Sequence, residues 1–292
     1  MVKRKILFIH ASNASFVLND MKILKKLGFD VRVLDLTPYQ GSTRKKLLYA
    51  VKILLSMIKG VIWSDLTFSW FADIHAFLAV LFSKIFKRRC LVVIGGYEVV
   101  KAPEINYGGM LSFWKRAIVI FILRYADKIL AVSEHSKKET LRWVSRKDIE
   151  VVYHGIDCEK FTFSENDVKE DVVITVGRID KTTLKRKGIE TFVRCAKYLV
   201  NIPFVVVGGY SDDSIEYLKS IASPNVVFTG YLEQEQLIKL YKRAKVYAQL
   251  SYHEGFGVSL AEAMACGCVP VVTNRAALPE VVGNLGFYVP YI

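Results

Sequence analysis

Short apolar runs alternate with helix-like stretches along the whole chain, and this alternation limits the possible folds more than any other feature. The run Ile6–Ile9 is followed by the amphipathic stretch Phe16–Leu27, and Val31–Asp35 begins a second run. The order continues to Val151–Tyr153 and starts again at Val172–Val176. Such alternation predicts parallel sheets with helices on both faces. We therefore predict an α/β fold with two Rossmann-like, doubly wound domains that face a cleft.

The predicted domains meet at a charged segment. The 292 residues are enough for about two domains of ordinary size. Phe163–Asp171 lacks apolar periodicity and is the predicted linker, which gives a first domain at 1–165 and a second domain at 166–292. The remaining predicted strands are Leu66–Trp70, Leu91–Ile94, Ile129–Val132, Phe204–Val207, Val226–Phe228, Val246–Gln249 and Val269–Val272.

Positive charge is concentrated in the first half of the chain. Of the formal net charge of +13, residues 1–165 carry +12, from 27 Lys and Arg against 15 Asp and Glu. A basic half indicates an anionic partner, such as a membrane surface, a nucleic acid or a phosphorylated acceptor, or simply a solvated surface in a basic proteome. The chain has no zinc-finger, basic-zipper or RNA-stacking signature, so a nucleic-acid partner is not expected.

Two basic clusters raise the hypothesis of peripheral membrane binding. Arg44-Lys45-Lys46 and the cluster from Lys84 to Arg89 flank apolar stretches, as an interfacial surface would. Ordinary amphipathic helices that build a core explain the same pattern equally well. No apolar stretch reaches the ~20 residues needed to cross a bilayer, and five scattered cysteines fit a reduced, cytoplasmic compartment. We expect a cytoplasmic protein that is peripheral to the inner face of a membrane.

The first site motif follows the strand Val172–Val176. Gly177 permits a tight turn, and the guanidinium of Arg178 can fork onto phosphate oxygens. Lys187 stands before the next helical stretch and adds a second positive charge. A diphosphate needs such a cationic pair, although a loop that also contains Lys181, Lys185 and Arg186 could carry ordinary surface charge.

The second motif follows the strand Val246–Gln249 and combines glycines, acids and a helix start. Gly257 lies in a bare turn, and the helix that starts at Val258 directs free amides toward the same place. Glu254 lies before this helix and Glu262 lies about one turn into it. Carboxylates in these places can accept hydrogen bonds from paired sugar or ribose hydroxyls. Their alternative role is that of ordinary loop and helix-surface acids.

The third motif consists of glycines at two further strand ends. Gly208 and Gly209 permit close approach of a ligand, and Tyr231 and Leu232 could flank a nucleobase. Structural turns explain these glycines nearly as well.

Together these residues resemble glycosyltransferase family 4, whose members are retaining enzymes of the GT-B architecture. The resemblance covers the second half through Gly177-Arg178…Lys187-Gly188 and the Glu-x7-Glu pair Glu254…Glu262. It implies that Arg178 and Lys187 bind the donor diphosphate and that Glu254 contacts the transferred sugar. It further implies that Glu262 holds the ribose hydroxyls and that the backbone at Phe256, Gly257 and Val258 completes the site.

The first half resembles the family less closely, and its site residues depart from the pattern. Many members have a histidine after the strand that is here Leu91–Ile94, where this chain has Gly95-Gly96-Tyr97-Glu98. Glu98, Asp73 and His75 are the candidates for its role beside Gly95 and Gly96. Relatives also continue into helices beyond the position of Ile292, so the second domain is expected to be short or truncated.

The resemblance implies a retaining hexosyltransferase that moves a sugar from a nucleotide-diphosphate sugar to an acceptor hydroxyl, with 1–165 as the acceptor-binding domain and 166–292 as the nucleotide-sugar-binding domain. The basic first half, rather than the resemblance, raises the hypothesis of a lipid-linked or membrane-associated acceptor. Arg178, Lys187 and Glu254 are the expected catalytic residues. We expect no metal and no cofactor, because the chain has no Asp-x-Asp or other ligand cluster. The alternatives are a non-catalytic nucleotide-sugar-binding protein and a phosphorylase, although no lysine stands out as a pyridoxal site.

Overall fold

The chain forms two compact units, which are described separately. The computed structural model describes residues 3–37, 43–164 and 167–291, and the side chains of all of these except 43–48. The first unit comprises Met1–Pro103 and Gly108–Tyr153, and the second comprises Glu104–Tyr107 and His154–Ile292. The second unit therefore begins before the predicted boundary at 165/166, because Phe161 is buried in its core.

The first unit is a six-stranded sheet of order β2-β1-β3-β4-β5-β6, in which every pair is parallel. Its strands are β1 (Lys5–His10), β2 (Asp30–Asp35), β3 (Leu66–Trp70), β4 (Arg89–Ile94), β5 (Lys128–Ala131) and β6 (Ile149–Val151). Its helices are α1 (Ser15–Lys26), α2 (Thr43–Trp63), α3 (Ile74–Ile85), α4 (Phe113–Tyr125) and α5 (Glu134–Leu141), with short 3₁₀ turns at Tyr97–Val99, Pro103–Ile105 and Gly109–Leu111.

The core of the first unit forms where α3 and α4 pack on the middle strands. Val92 and Ile94 of β4 and Ile122 and Leu123 of α4 are completely buried there. Apolar residues on both faces of the central strands explain why their sequences are nearly continuous hydrophobic runs. A second cluster between β1, α2 and α3 contains Met57, which is also fully buried.

The second unit is a six-stranded sheet of order β12-β11-β10-β7-β8-β9, again with every pair parallel. Its strands are β7 (Glu170–Val176), β8 (Phe204–Val207), β9 (Val226–Gly230), β10 (Ala244–Gln249), β11 (Val269–Thr273) and β12 (Phe287–Val289). Its helices are α6 (Thr183–Arg186), α7 (Ile189–Cys195), α8 (Ser214–Ile221), α9 (Gln234–Arg243), α10 (Val258–Ala265) and α11 (Leu278–Val282), with a 3₁₀ turn at Ala196–Tyr198.

These two sheets confirm the predicted α/β class with parallel strands. The predicted linker is wrong in part, because Glu170 and Asp171 belong to β7 and the Lys169 ammonium donates hydrogen bonds to the carbonyls of Tyr241, Ala244 and Cys266. The edge strand β12 was not predicted. Its short apolar stretch gives too little periodicity to identify a strand.

Candidate functional site

The candidate site lies where the strand order of the second sheet changes direction. Strand β7 pairs with β10 on one side and with β8 on the other, so the connections from these strands diverge at their carboxyl ends. Such a switch point leaves a crevice in which open parallel sheets bind ligands. Gly177 and Arg178 follow β7, and the segment from Ser251 to Gly257 follows β10. The topology thus places the first two sequence motifs at one edge of the sheet.

The two motifs meet in a contact between Lys187 and Glu254. The Lys187 ammonium donates a hydrogen bond of 3.0 Å to Oε1 of Glu254, and both side chains are largely buried. Arg186 and the Ser251 hydroxyl also donate to this oxygen, at 3.5 and 3.0 Å. Burial alone would raise the pKa of the Glu254 carboxyl, but the charges of Lys187 and Arg186 outweigh it and lower the pKa to about 2. Glu254 is therefore ionised at neutral pH and can only accept hydrogen bonds.

Two glycines allow the backbone and the lysine to come this close. A Cβ atom on Gly177 would lie 2.5 Å from Cδ of Lys187, so the lysine stem passes directly over the end of β7. A Cβ atom on Gly208 would lie 2.0 Å from the carbonyl oxygen of Gly177. The turns after β7 and β8 therefore touch through their backbones, which requires glycine at 208, while glycine at 177 leaves room for the lysine stem.

Arg178 lies on the other side of Gly177 and is held by a different acid. Its guanidinium is 2.8 Å from Asp180 and donates a hydrogen bond to the Ser211 hydroxyl at 3.1 Å. Its side chain is 68% exposed, so it can turn toward a ligand. Arg178, Gly177, Gly208, Gly209 and Tyr231 line one open pocket of about 470 Å³, together with Val176, Tyr210 and Ser211.

Helix α10 begins at the same edge of the sheet. Gly257 has φ +109°, a conformation that favours glycine, and no side chain in the described ranges caps the helix there. The first-turn amides at Val258 and Ser259 therefore face outward, as in an anion site at a helix N-terminus. Phe256 supports this turn from inside, with its ring 5.2 Å from that of His154.

Glu262 projects from the second turn of α10, and burial raises the pKa of its carboxyl to about 7. In the described parts of the chain, no group donates a hydrogen bond to this carboxyl. The neighbouring Tyr247 hydroxyl donates instead to Ser259 at 2.9 Å. Glu254 and Glu262 both act electrostatically on Tyr247, so the two acids of the motif lie near one buried tyrosine. Two carboxyl groups whose pKa values are shifted in opposite directions therefore lie in the first turns of one helix or just before it.

The predicted nucleobase neighbours differ in their surroundings. The Tyr231 side chain is exposed beside Gly209, whereas Leu232 packs against the core of the second unit. Tyr210, which was not predicted, lies beside Gly230 and lines the same pocket as Tyr231.

Two family models match this chain. The model of Glycosyltransferase Family 4 matches residues 15–160, which is half of the chain. The model of Glycosyl transferases group 1 matches residues 158–289 and contains the whole of the site described above. The chain belongs to glycosyltransferase family 4.

Individual relatives of this family 4 chain are distant. An uncharacterized glycosyltransferase of Methanocaldococcus jannaschii is 29% identical over 71% of this chain and 57% of its own length. The alpha-galactosylglucosyldiacylglycerol synthase of Streptococcus pneumoniae is 29% identical over 56% of this chain and 50% of its own length. The chain thus spans less than two thirds of these curated relatives. The crystal structure of Anabaena HepE, solved with UDP and glucose, superposes with a TM-score of 0.75 at 18% identity and covers 98% of this chain and 86% of HepE. This similarity confirms the GT-B fold.

In the first unit of the family 4 chain, the acceptor-side candidates follow β3 and β4. Asp73 caps α3 by accepting a hydrogen bond from the Ile74 amide, and the buried His75 ring donates to the Trp70 carbonyl. Burial lowers the pKa of His75. These contacts favour structural roles for both side chains.

Glu98 joins the turns after these two strands. It is fully buried, and its Oε1 accepts hydrogen bonds from the amides of Ala72 and Gly95. Gly96 has φ +120°, and a Cβ atom on Gly95 would lie 2.4 Å from the Phe71 ring. Gly95 and Gly96 therefore shape the turn, while the Glu98 carboxylate holds it to the neighbouring strand.

Sequence reasoning missed two residues of the candidate site. Arg186 was treated as loop charge, although it adjoins Lys187 and reaches Glu254. Ser251 stands three residues before Glu254 and donates to it. Both lie within or beside the motif residues, and their spacing was the available signal.

In the described part of the chain, no group of three or more His, Cys, Asp or Glu could hold a metal ion, and no helix is long and apolar enough to cross a membrane.

Proposed function

We propose that this chain is the catalytic part of a retaining glycosyltransferase that moves a hexose from a nucleotide-diphosphate sugar to an acceptor hydroxyl. The observation that carries this proposal is the arrangement of Lys187, Glu254 and the start of α10 at one switch point. Donor cleavage places negative charge on the departing diphosphate, and a cation beside free amides stabilises such charge as it develops.

The cations of the site have separate parts in this proposal. Lys187 and Arg186 hold positive charge at the carboxyl end of β7, next to the first turn of α10. Arg178 leaves Asp180 and Ser211 to bind the diphosphate, since its exposed guanidinium is free to rotate. This charge supply makes a metal unnecessary for leaving-group stabilisation, and no cofactor is required.

The two acids bind hydroxyls of the donor. Ionised Glu254 accepts hydrogen bonds from the transferred sugar, and Glu262 accepts from the paired ribose hydroxyls. The structurally similar HepE was crystallised in complex with UDP and glucose, and this supports a nucleotide sugar as the donor class. Tyr231 and Tyr210 then border the nucleobase in the pocket lined by Gly208 and Gly209.

Retention of configuration is part of this proposal because the chain resembles retaining enzymes of family 4. The carboxylate oxygen of Glu254 already accepts from Lys187, Arg186 and Ser251, which makes it a poor covalent nucleophile. If configuration is retained without a covalent intermediate, the acceptor attacks on the same face as the departing diphosphate. The acceptor hydroxyl then loses its proton to the leaving phosphate oxygen.

We place the acceptor at the first unit and assign it to lipid-linked or membrane-associated compounds. The positive charge of residues 1–165 and the diacylglycerol named in the pneumococcal relative support this class. The protein would then work in the cytoplasm at the inner face of a membrane.

Turnover of radiolabelled nucleotide sugars by the full-length protein tests the proposal. The base is found first by thermal shift with UDP, GDP and ADP, because a bound nucleotide raises the melting temperature. The matching sugar donors are then incubated with a membrane lipid extract, and the anomeric configuration of the product is read by NMR. An α-linked product from an α-linked donor supports the proposal. Tight nucleotide-sugar binding without transfer to any acceptor would instead support a non-catalytic nucleotide-sugar-binding protein.

A further inference from the structure

Three aromatic rings and two cations form an exposed surface at the start of α4. We call Tyr97, Phe113, Trp114, Lys115 and Arg116 the aromatic-basic patch. The side chains of Phe113 and Trp114 are 66% and 76% exposed, and Tyr97 is 43% exposed. All five residues belong to the first unit. Large rings are seldom exposed together without a partner surface, because their apolar area is costly to keep in water.

The rings and cations of the patch contact one another. Phe113 and Trp114 meet edge to face, with 5.5 Å between ring centroids. The Lys115 ammonium lies 5.4 Å from the Tyr97 ring, and the Arg116 guanidinium lies 5.9 Å from the Phe113 ring. Among the described residues, no acid forms an ion pair with Lys115 or Arg116. Their charges are therefore available to an anionic partner.

A well-packed turn precedes α4 and fixes the position of the patch, so the patch is not exposed because of a frayed helix end. Met110 before it and Ile122 within α4 are fully buried in the core of the first unit. Gly108 has φ +117°, and a Cβ atom there would lie 2.0 Å from the Val100 carbonyl oxygen. The Ser112 hydroxyl accepts from the Lys115 amide and caps the helix. The fold therefore fixes Phe113 and Trp114 on the outside.

We propose that the aromatic-basic patch docks this protein on a membrane surface that carries anionic phospholipid. Trp and Tyr rings favour the boundary between headgroups and acyl chains, and adjacent Lys and Arg bind anionic headgroups. The net charge of +12 on residues 1–165 adds long-range attraction to the same surface. A protein partner would match the rings equally well, but the unpaired cations beside them favour a layer of negative charge.

The basic clusters noted in the sequence fit this role less well. Lys84 forms an ion pair with Asp127 at 2.5 Å, and Arg88 donates a hydrogen bond to the Ile62 carbonyl. Both cations are thus engaged within the first unit. The side chains of Arg44, Lys45 and Lys46 lie outside the described residues.

Membrane docking at the patch goes beyond the proposed transfer reaction, although the two are compatible. Tyr97 directly follows Gly96 in the turn after β4, and α4 starts at that same edge of the first sheet. A membrane bound at the patch would therefore lie beside the acceptor-side turn. Docking can be measured without turnover, so failure of one proposal is distinguishable from failure of the other.

Flotation of the full-length protein with lipid vesicles tests the patch. One set of vesicles is pure phosphatidylcholine and the other contains about one third phosphatidylglycerol. The wild type is expected to float with the anionic vesicles at low salt and much less at high salt, because salt screens the charges. Phe113→Ser with Trp114→Ser, and separately Lys115→Glu with Arg116→Glu, should each lower the vesicle-bound fraction about tenfold.

Two matched variants control for general loss of apolar area or charge. Tyr198→Ser with Leu285→Ser removes side chains that are 76% and 75% exposed in the second unit and should leave flotation unchanged. Lys87→Glu with Arg89→Glu changes the net charge of the first unit by the same amount as Lys115→Glu with Arg116→Glu. This control should lower flotation much less than the patch pair does. Two results would overturn the proposal. One is that the wild type floats only with pure phosphatidylcholine vesicles, and the other is that a control pair loses as much flotation as the matching patch pair.

Tryptophan fluorescence separates membrane insertion from self-association. The emission of the wild type should shift to shorter wavelength with anionic vesicles, and Trp114→Phe should remove that shift while most flotation remains. Light scattering without vesicles should show the same mass for the wild type and the Phe113→Ser, Trp114→Ser variant. Two results would contradict membrane docking at the patch. One is that the wild type is a dimer and this variant is a monomer. The other is that the vesicle-induced shift persists in Trp114→Phe.

Discussion

The ammonium nitrogen of Lys187 lies 3.0 Å from Oε1 of Glu254, although 67 residues separate them in the sequence. The contact joins the turns after β7 and β10 at the switch point of the second sheet. It keeps an ionised carboxylate next to a cation in a largely buried place. In the proposed function, each partner contacts a different part of a nucleotide sugar.

The first prediction concerns the loss of Lys187. Lys187→Met should lower nucleotide-diphosphate affinity about 30-fold or more, because charge-assisted contacts to the phosphates are lost. It should also destabilise the second unit by about 1–3 kcal/mol, since Arg186 only partly compensates Glu254. Calorimetric titration with the nucleotide found by thermal shift measures the affinity, and urea unfolding measures the stability.

Lys185→Met is the matched control for this variant, since Lys185 lies two residues away and forms no described contact with Glu254. Its nucleotide affinity should stay within about twofold of the wild type. Equal losses in both variants would show that general charge, rather than the position of Lys187, accounts for binding.

The second prediction is a dependence of stability on acid pH that comes from Glu254. Its folded-state pKa of about 2 lies below the ordinary value of 4.5. The stabilisation is therefore complete above pH 4.5 and is lost as the pH falls toward 2, with a total of up to about 3 kcal/mol. Glu254→Gln should remove this part, so the free-energy difference between wild type and variant should shrink as the pH falls from about 5 to 3. Parallel stability curves over that range would contradict the buried ion pair.

The fold could be predicted from the sequence because its signals are local. The alternating apolar runs located the central strands. Strands β4 and β8 are continuous hydrophobic stretches because they are buried in a parallel sheet. The strand β12 and the start of β7 were missed. Phe287–Val289 is too short to show a period, and charged Glu170 and Asp171 resemble a linker until their pairing with the neighbouring strand is known.

The third prediction is a trade-off between stability and function at Glu262. Burial raises its pKa to about 7, so the folded protein is destabilised as the pH rises through 4.5 to 7 and the carboxyl ionises. Glu262→Gln should therefore be more stable than the wild type at pH 8, by about 1–2 kcal/mol, with no difference near pH 4.5. Thermal and urea unfolding at the two pH values measure this effect.

The same variant should bind nucleotides more weakly. Loss of the carboxylate is expected to lower affinity for the ribonucleotide about tenfold while leaving the 2′,3′-dideoxynucleotide unaffected, because only the former presents paired hydroxyls. An equal loss for both nucleotides would count against a ribose contact at Glu262.

The fourth prediction uses the close approach of Gly208 to Gly177. Gly208→Ala would place a Cβ atom 2.0 Å from a backbone oxygen, so it should destabilise the second unit by about 2–4 kcal/mol and weaken nucleotide binding. Gly209→Ala is the control for stability alone, since the nearest atom to its Cβ lies 3.7 Å away. A Gly208→Ala variant with wild-type melting temperature and affinity would show that the two turns need not touch.

The candidate site was predictable to the extent that its residues are contiguous. Glu254, Gly257 and Glu262 fall in one strand-turn-helix unit, so their spacing indicates their neighbourhood. Long-range pairings are different, because nothing local indicates that Arg178 reaches Ser211 or that Arg186 reaches Glu254. The burial of Glu98 was equally hidden, since a polar residue after a strand normally faces solvent. The roles assigned to these residues in transfer stay predictions.

A crystal structure of the protein with an unhydrolysed nucleotide-diphosphate sugar tests the central claim most directly. We expect the diphosphate within hydrogen-bond distance of Lys187 and of the first-turn amides of α10, with sugar hydroxyls on Glu254 and the ribose on Glu262. Arg178 should have turned from Asp180 toward a phosphate oxygen. A nucleotide sugar bound in clear density away from Lys187 and the start of α10 would contradict the account.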